Sequence, residues 1–128
     1  MSFAKLISLL VCGVALGAQA QVPAGYPADY AKIVDGAQKE GKVVVYSTTD
    51  AKLVSPLIKD FEAAFPGVKV EYTDLNSTEV YNRFISENAA NATSADAVWS
   101  SSMDLQMKLA ADGLAMTYKS PESAALKV

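Results

Sequence analysis

Histidine is absent from this 128-residue chain, and cysteine occurs once, at Cys12. Without an imidazole, Ser-His and Cys-His nucleophile arrangements have no base to work with. With a single thiol, no disulfide can form within the chain, so stability must come from a packed core. Glycine-rich phosphate loops are missing too: Ser47 to Lys52 lacks the glycines of a P-loop or dinucleotide fingerprint. Basic residues are in deficit, eleven against fourteen acidic, for a net charge of −3. That balance gives a nucleic-acid binder or a basic membrane-surface helix no electrostatic footprint. Low-complexity tracts and long apolar runs are also lacking. The longest run, Leu6 to Leu16, is too short to span a bilayer, which takes about 20 apolar residues.

What is present is a globular composition, half apolar and a fifth charged. Residues 1–20 read as a cleavable signal peptide: Lys5 in the n-region, the apolar run, then Ala18-Gln19-Ala20 as a small-x-small cleavage site. Cleavage there would start the mature chain at Gln21 and remove the cysteine. Taking Lys5 away leaves ten basic residues against fourteen acidic, a net charge near −4. A secreted protein without disulfides suits a bacterial envelope.

The central stretch is Gly41 to Leu53, GKVVVYSTTDAKL. Val43, Val44, Val45 and Tyr46 form a continuous apolar run, the pattern of a strand buried on both faces of a parallel sheet. Polarity then flips to Ser47-Thr48-Thr49-Asp50. A helix over 27–40 precedes it, with Tyr30, Ile33, Val34 and Ala37 on one face and Gly41 as its C-cap. A helix with Leu53, Val54, Leu57, Ile58, Phe61 and Phe65 on one face follows. It is capped either by Asp50 with Pro56 tolerated early, or by Ser55 with Pro56 at the first helical position. Pro66-Gly67 ends it. Val68 to Thr73 alternates as strand two. Asn76 and Glu79 form a capping box for the next helix, whose apolar face carries Val80, Tyr81, Phe84 and Ile85. Strand three is Ala95 to Trp99, and a helix over Met103 to Ala111 follows. Leu114 to Tyr118 suggests a fourth strand, and Ser120-Pro121 opens a last helix of barely one turn. This order predicts an α/β fold: a mostly parallel sheet with right-handed crossovers and helices on both faces. A last helix with written caps and little body reads as the start of a longer domain.

Three hydroxyl clusters sit at equivalent places, each after a strand and before a helix: Ser47-Thr48-Thr49, Ser77-Thr78 and Ser100-Ser101-Ser102. They serve either as N-caps or, with helix N–H groups, as a neutral nest for an anion at the carboxyl edge of the sheet. Trp99 beside them is a core residue or a wall of a ligand cleft. Asp50, Asp74, Glu79 and Asp104 lie near the same edge. They complement helix dipoles, Asp104 with Ser101 as a second capping box, or offer hard oxygen ligands to Fe(III) or Ca(II) without a defined metal spacing. Met103 and Met107, one turn apart, read as core. No metal ligand set, cofactor or catalytic residue is assigned.

Several segments taken in order carry a resemblance. They are the signal peptide, Lys39-Glu40-Gly41-Lys42 before VVVYST, Phe61-Glu62-Ala63-Ala64-Phe65-Pro66-Gly67 before Val68-Lys69-Val70, Asn76-Ser77-Thr78, Ala95 to Ser101, and Asp112-Gly113-Leu114. Together they resemble the start of bacterial periplasmic solute-binding proteins of ABC importers, of the ferric-iron, phosphonate and oxyanion type. The resemblance implies two α/β lobes around one cleft, with residues 21–128 as the first part of the amino-terminal lobe. It implies a monomer that is not an enzyme, binding a small anionic or ferric ligand in the periplasm and delivering it to an inner-membrane ABC permease. It carries over to Ser47, Thr48, Ser77, Thr78, Ser100 and Ser101 as ligand contacts. The loop after strand one holds no histidine of the kind some ferric members place there. A secreted flavodoxin-like domain binding a phosphorylated cofactor at Ser47 to Asp50 is the alternative.

Overall fold

The computed structural model describes residues 22–92 and 94–126. The leader read over residues 1–20 lies outside them. The elements are α1 (Tyr30–Glu40), β1 (Lys42–Ser47), α2 (Ala51–Ala64), β2 (Lys69–Asp74), α3 (Ser77–Ala89), β3 (Ala97–Trp99), α4 (Met103–Ala111) and a short 3-10 helix, Pro121–Ala124. The three strands form one parallel sheet in the order β2-β1-β3. The α/β architecture expected from the alternation of patterns is the one observed. Among the described residues, no helix is long and apolar enough to cross a membrane.

Local signals account for most boundaries. Gly41 adopts φ 78°, and its N–H donates to Ala37 O at 2.9 Å, closing α1 in the left-handed turn only glycine enters freely. The helix begins at Tyr30 rather than at Pro27, whose carbonyl instead accepts from Tyr30 N–H in a preceding turn. Asp50 caps α2 by accepting from Lys52 N–H at 2.7 Å, which leaves Pro56 inside the helix. The Asn76–Glu79 capping box closes with two bonds of 3.0 Å.

The crossovers set the layers. The connection β1-α2-β2 runs one way along the sheet and β2-α3-β3 runs back past β1. Right-handed connections in opposite directions put α2 and α3 on opposite faces. Val43, Val45, Val70 and Tyr72 accordingly line one face together with Val54, Ile58 and Phe61 of α2. Tyr46, pointing the other way, meets Arg83 and Glu87 of α3. Val54, Val68, Val80, Phe84 and Leu109 form the core around these contacts.

Several expectations are corrected. Leu114 to Tyr118 is not a strand. Leu114 N–H turns back to Leu109 O at 2.9 Å through the left-handed Gly113, and no described strand pairs with the segment that follows. The proposed Ser101–Asp104 capping box does not form: Ser102 holds the N-cap position of α4, without a side-chain bond. Strand three spans only Ala97–Trp99; just before it Asp96 holds Val44 twice, its N–H donating to Val44 O at 2.9 Å and its Oδ2 accepting from Val44 N–H at 2.8 Å. On α2, Leu53 and Leu57 are 76% and 58% exposed, although they lie on its apolar stripe. Beside them runs an apolar groove of about 330 Å³ between α2 and Trp99, over the β1–β3 side of that face. Met103 and Met107 are exposed rather than core.

Candidate functional site

In the sheet register, Ser47 is the Cα partner of both Asp74 and Trp99. All three strands therefore end level. Neighbouring strands lie about 4.8 Å apart, so Asp74, Ser47 and Trp99 form a row about 10 Å long from end to end. The three hydroxyl turns leave from that row, and the structure brings them to one carboxyl rim.

The turns differ in what they leave free. After β1, Ser47 is wholly buried. Its Oγ accepts from Thr49 N–H at 3.0 Å and its carbonyl accepts from Leu75 N–H at 2.9 Å. The Ser47 hydroxyl thus shapes the turn from inside. Thr48 N–H donates to Trp99 O at 3.1 Å, stitching the turn to β3. Tyr72 Oη donates to Thr49 O at 2.7 Å. At the N-terminus of α2, Ala51 N–H donates to Asp74 Oδ2 at 3.0 Å and Lys52 N–H to Asp50 Oδ1. Leu53 and Val54 N–H groups donate to Asp50 O. The amides of Ala51, Lys52 and Leu53, which have no partner within the helix, are thus all satisfied, two of them by carboxylates.

After β2, the capping box occupies the amides of Asn76 and Glu79, while the amides of Ser77 and Thr78 find no acceptor among the described residues. Thr78 is exposed and Ser77 half-buried at the first turn of α3. After β3, half-buried Ser100 is an internal organiser like Ser47. Its Oγ accepts from Ser102 N–H at 3.1 Å, and its carbonyl accepts from the Gln106 side-chain amide. Ser101 is exposed. The amides of Ser101, Met103, Asp104 and Leu105 have no acceptor among the described residues. Free donors thus concentrate on the α3 and α4 turns, and Thr48, Thr78 and Ser101 present hydroxyls that make no bond within the described residues.

The support of α3 was not expected from the sequence. Tyr46, 3% exposed on β1, donates its hydroxyl to Glu87 at 2.8 Å. Arg83 Nε donates to Glu87 at 2.9 Å, and its guanidinium lies 4.5 Å from the Tyr46 ring centroid. Arg83 first, then Tyr46, holds the Glu87 carboxyl below its ordinary value, while burial first, then Glu87, pushes the Tyr46 phenol up. The Arg83–Glu87 pair is visible as an i,i+4 pair, but its partner lies 41 residues upstream of Glu87 and carries no local signal. Asp74 is likewise a cross-chain cap that no motif announces. Among the described residues, no three of Asp, Glu, His and Cys gather where they could hold a metal ion.

No family profile matches the chain, and no curated protein does. Among solved structures, the chain is similar to the substrate-binding protein of an ABC transporter from Agrobacterium tumefaciens, with 39% identity over 70% of this chain and a TM-score of 0.62. This chain spans 27% of that protein's length. In sequence and in fold it is therefore similar to a part of an ABC-transporter substrate-binding protein, which supports the class read from its ordered motifs.

Proposed function

We propose that the chain belongs to the periplasmic substrate-binding component of an ABC importer. In this reading its sheet rim forms one wall of a cleft between two lobes, the cleft takes a small anion or a ferric complex, and the loaded protein, a monomer, docks on an inner-membrane permease. Residues 1–20 direct export and are removed. No bond is made or broken by this protein. The observation that carries the reading is the 39% identity to a substrate-binding protein, found in a chain whose three hydroxyl turns share one rim.

Within that rim, Thr48, Ser77, Thr78 and Ser101 are the proposed hydroxyl contacts, joined by the open amides at the starts of α3 and α4. Ser47 and Ser100 contribute by holding their turns in shape. Closure of the lobes would bury the ligand and present the closed form to the permease. The flavodoxin-like alternative fits less well. A phosphate at Ser47 to Asp50 would meet the Thr48, Thr49, Ala51 and Lys52 amides already bonded and the carboxylates of Asp50 and Asp74.

The test is a thermal-shift screen of the whole gene product against phosphate, phosphonates, ferric complexes and organic acids. A ligand at one hundred times its Kd should add about 2.7 kcal/mol. Thr78→Ala with Ser101→Ala should weaken binding without lowering the unliganded melting temperature. A flat response across the panel would reject the proposal.

A further inference from the structure

Apart from Met1, every methionine of the chain lies between residues 103 and 116. Met103 and Met107 stand at i and i+4 on α4, so their Cβ atoms are about 5–6 Å apart on one face. Met116 follows the Gly113 turn, and all three side chains line a single open cavity of about 670 Å³. They are 68%, 62% and 89% exposed, whereas Leu109 of the same helix is 6% exposed and supplies its core contact. These methionines are thus not the residues that pack α4 on the sheet. What they bring to one place is three neutral, polarisable thioethers on flexible stems, which can turn toward a common point. Thioether sulfur selects soft cations such as Cu(I) and leaves hard ones to oxygen ligands. Asp96 lines the same cavity, one of its carboxylate oxygens accepting from Val44 N–H.

We propose that Met103, Met107 and Met116 form a thioether site for a soft monovalent cation, Cu(I) or its redox-stable analogue Ag(I). The site stands on the sulfur set alone and does not depend on the ligand reading of the rim.

The experiment uses the full chain with Cys12→Ser, which removes the only thiol, and with methionine labelled at the Cε methyl. One equivalent of Ag(I) should shift the methyl resonances of Met103, Met107 and Met116, and should leave that of Met1 in place where the leader is retained. Zn(II) and Ca(II) should move none. Leucine conserves volume and apolarity without the sulfur. Each single change, Met103→Leu, Met107→Leu or Met116→Leu, should weaken Ag(I) binding at least threefold. The triple variant should weaken it at least a hundredfold, and Cu(I) competition against a chromophoric chelator should follow the same order. Methyl resonances unmoved by Ag(I), an equal response to Zn(II), or single variants that bind as tightly as the parent would each overturn the proposal.

Discussion

Tyr46→Phe is the most informative single change in the fold. It removes one oxygen from a ring that is 3% exposed and leaves the ring packing and the Arg83 stack intact. What is lost is a hydrogen bond of 2.8 Å to an ionised carboxylate. Bonds to charged groups contribute about 1.5–3 kcal/mol net. The lower half of that range applies, because the Glu87 side chain is 22% exposed and keeps Arg83 when the phenol leaves. The expected cost is therefore about 1.5–2 kcal/mol, roughly a tenfold to thirtyfold shift in the unfolding equilibrium. With a urea m-value of about 1–3 kcal/mol/M, the midpoint should fall by roughly 1 M. The consequence reaches the rim, because the bond fastens the C-terminal half of α3 to β1 while the N-terminus of α3 carries Ser77 and Thr78. A double-mutant cycle with Glu87→Ala isolates the pair: in that background Tyr46→Phe should cost nothing. An equal cost in both backgrounds would refute the reasoning, since the penalty would then come from the ring and not from its bond to α3.

Acid should loosen both faces of the sheet. The Glu87 carboxyl is held down chiefly by Arg83, and that of Glu62 chiefly by the Val70 N–H and then by Lys69. Groups with folded values below their unfolded ones stabilise the fold above the ordinary carboxylate range, and that contribution disappears as pH falls from about 4.5 through their depressed values. Urea midpoints measured from pH 7 to pH 3 should decline across that window, and a flat profile would contradict the assignment. At the other end, the raised Tyr46 phenol contributes stability that is whole below pH 10 and lost as pH climbs through its folded value. Tyr46→Phe should therefore flatten the alkaline limb of the same profile. Removing the α3 cap by Asn76→Ala should cost about 1 kcal/mol, and Asn76→Gly only a few tenths, read from the same denaturation curves. Equal costs for the two would place the Asn76 effect outside the cap.

The amino-acid order by itself determined what neighbouring residues can decide among themselves. Lys42–Ser47 and Met103–Ala111 begin and end where period and polarity place them. Gly41 closes α1 because the left-handed turn strains any residue with a Cβ, and Asn76 meets Glu79 because three residues make one helical turn. The grouping of the hydroxyl turns on one edge was also legible, since parallel strands joined by helices must end on the same side. Only the tertiary structure decided the strand order β2-β1-β3, the burial of Ser47, the closure of the α2 amides by Asp74, and the fastening of Tyr46 to Glu87. Each of these depends on which segments meet across the sheet, and the bonding partner of a given amide or carboxylate then lies tens of residues away. Leu114 to Tyr118 shows the same limit from the other direction: apolar character suggests a strand, but a strand exists only where a neighbour supplies its hydrogen bonds, and here the chain turns back on α4 instead.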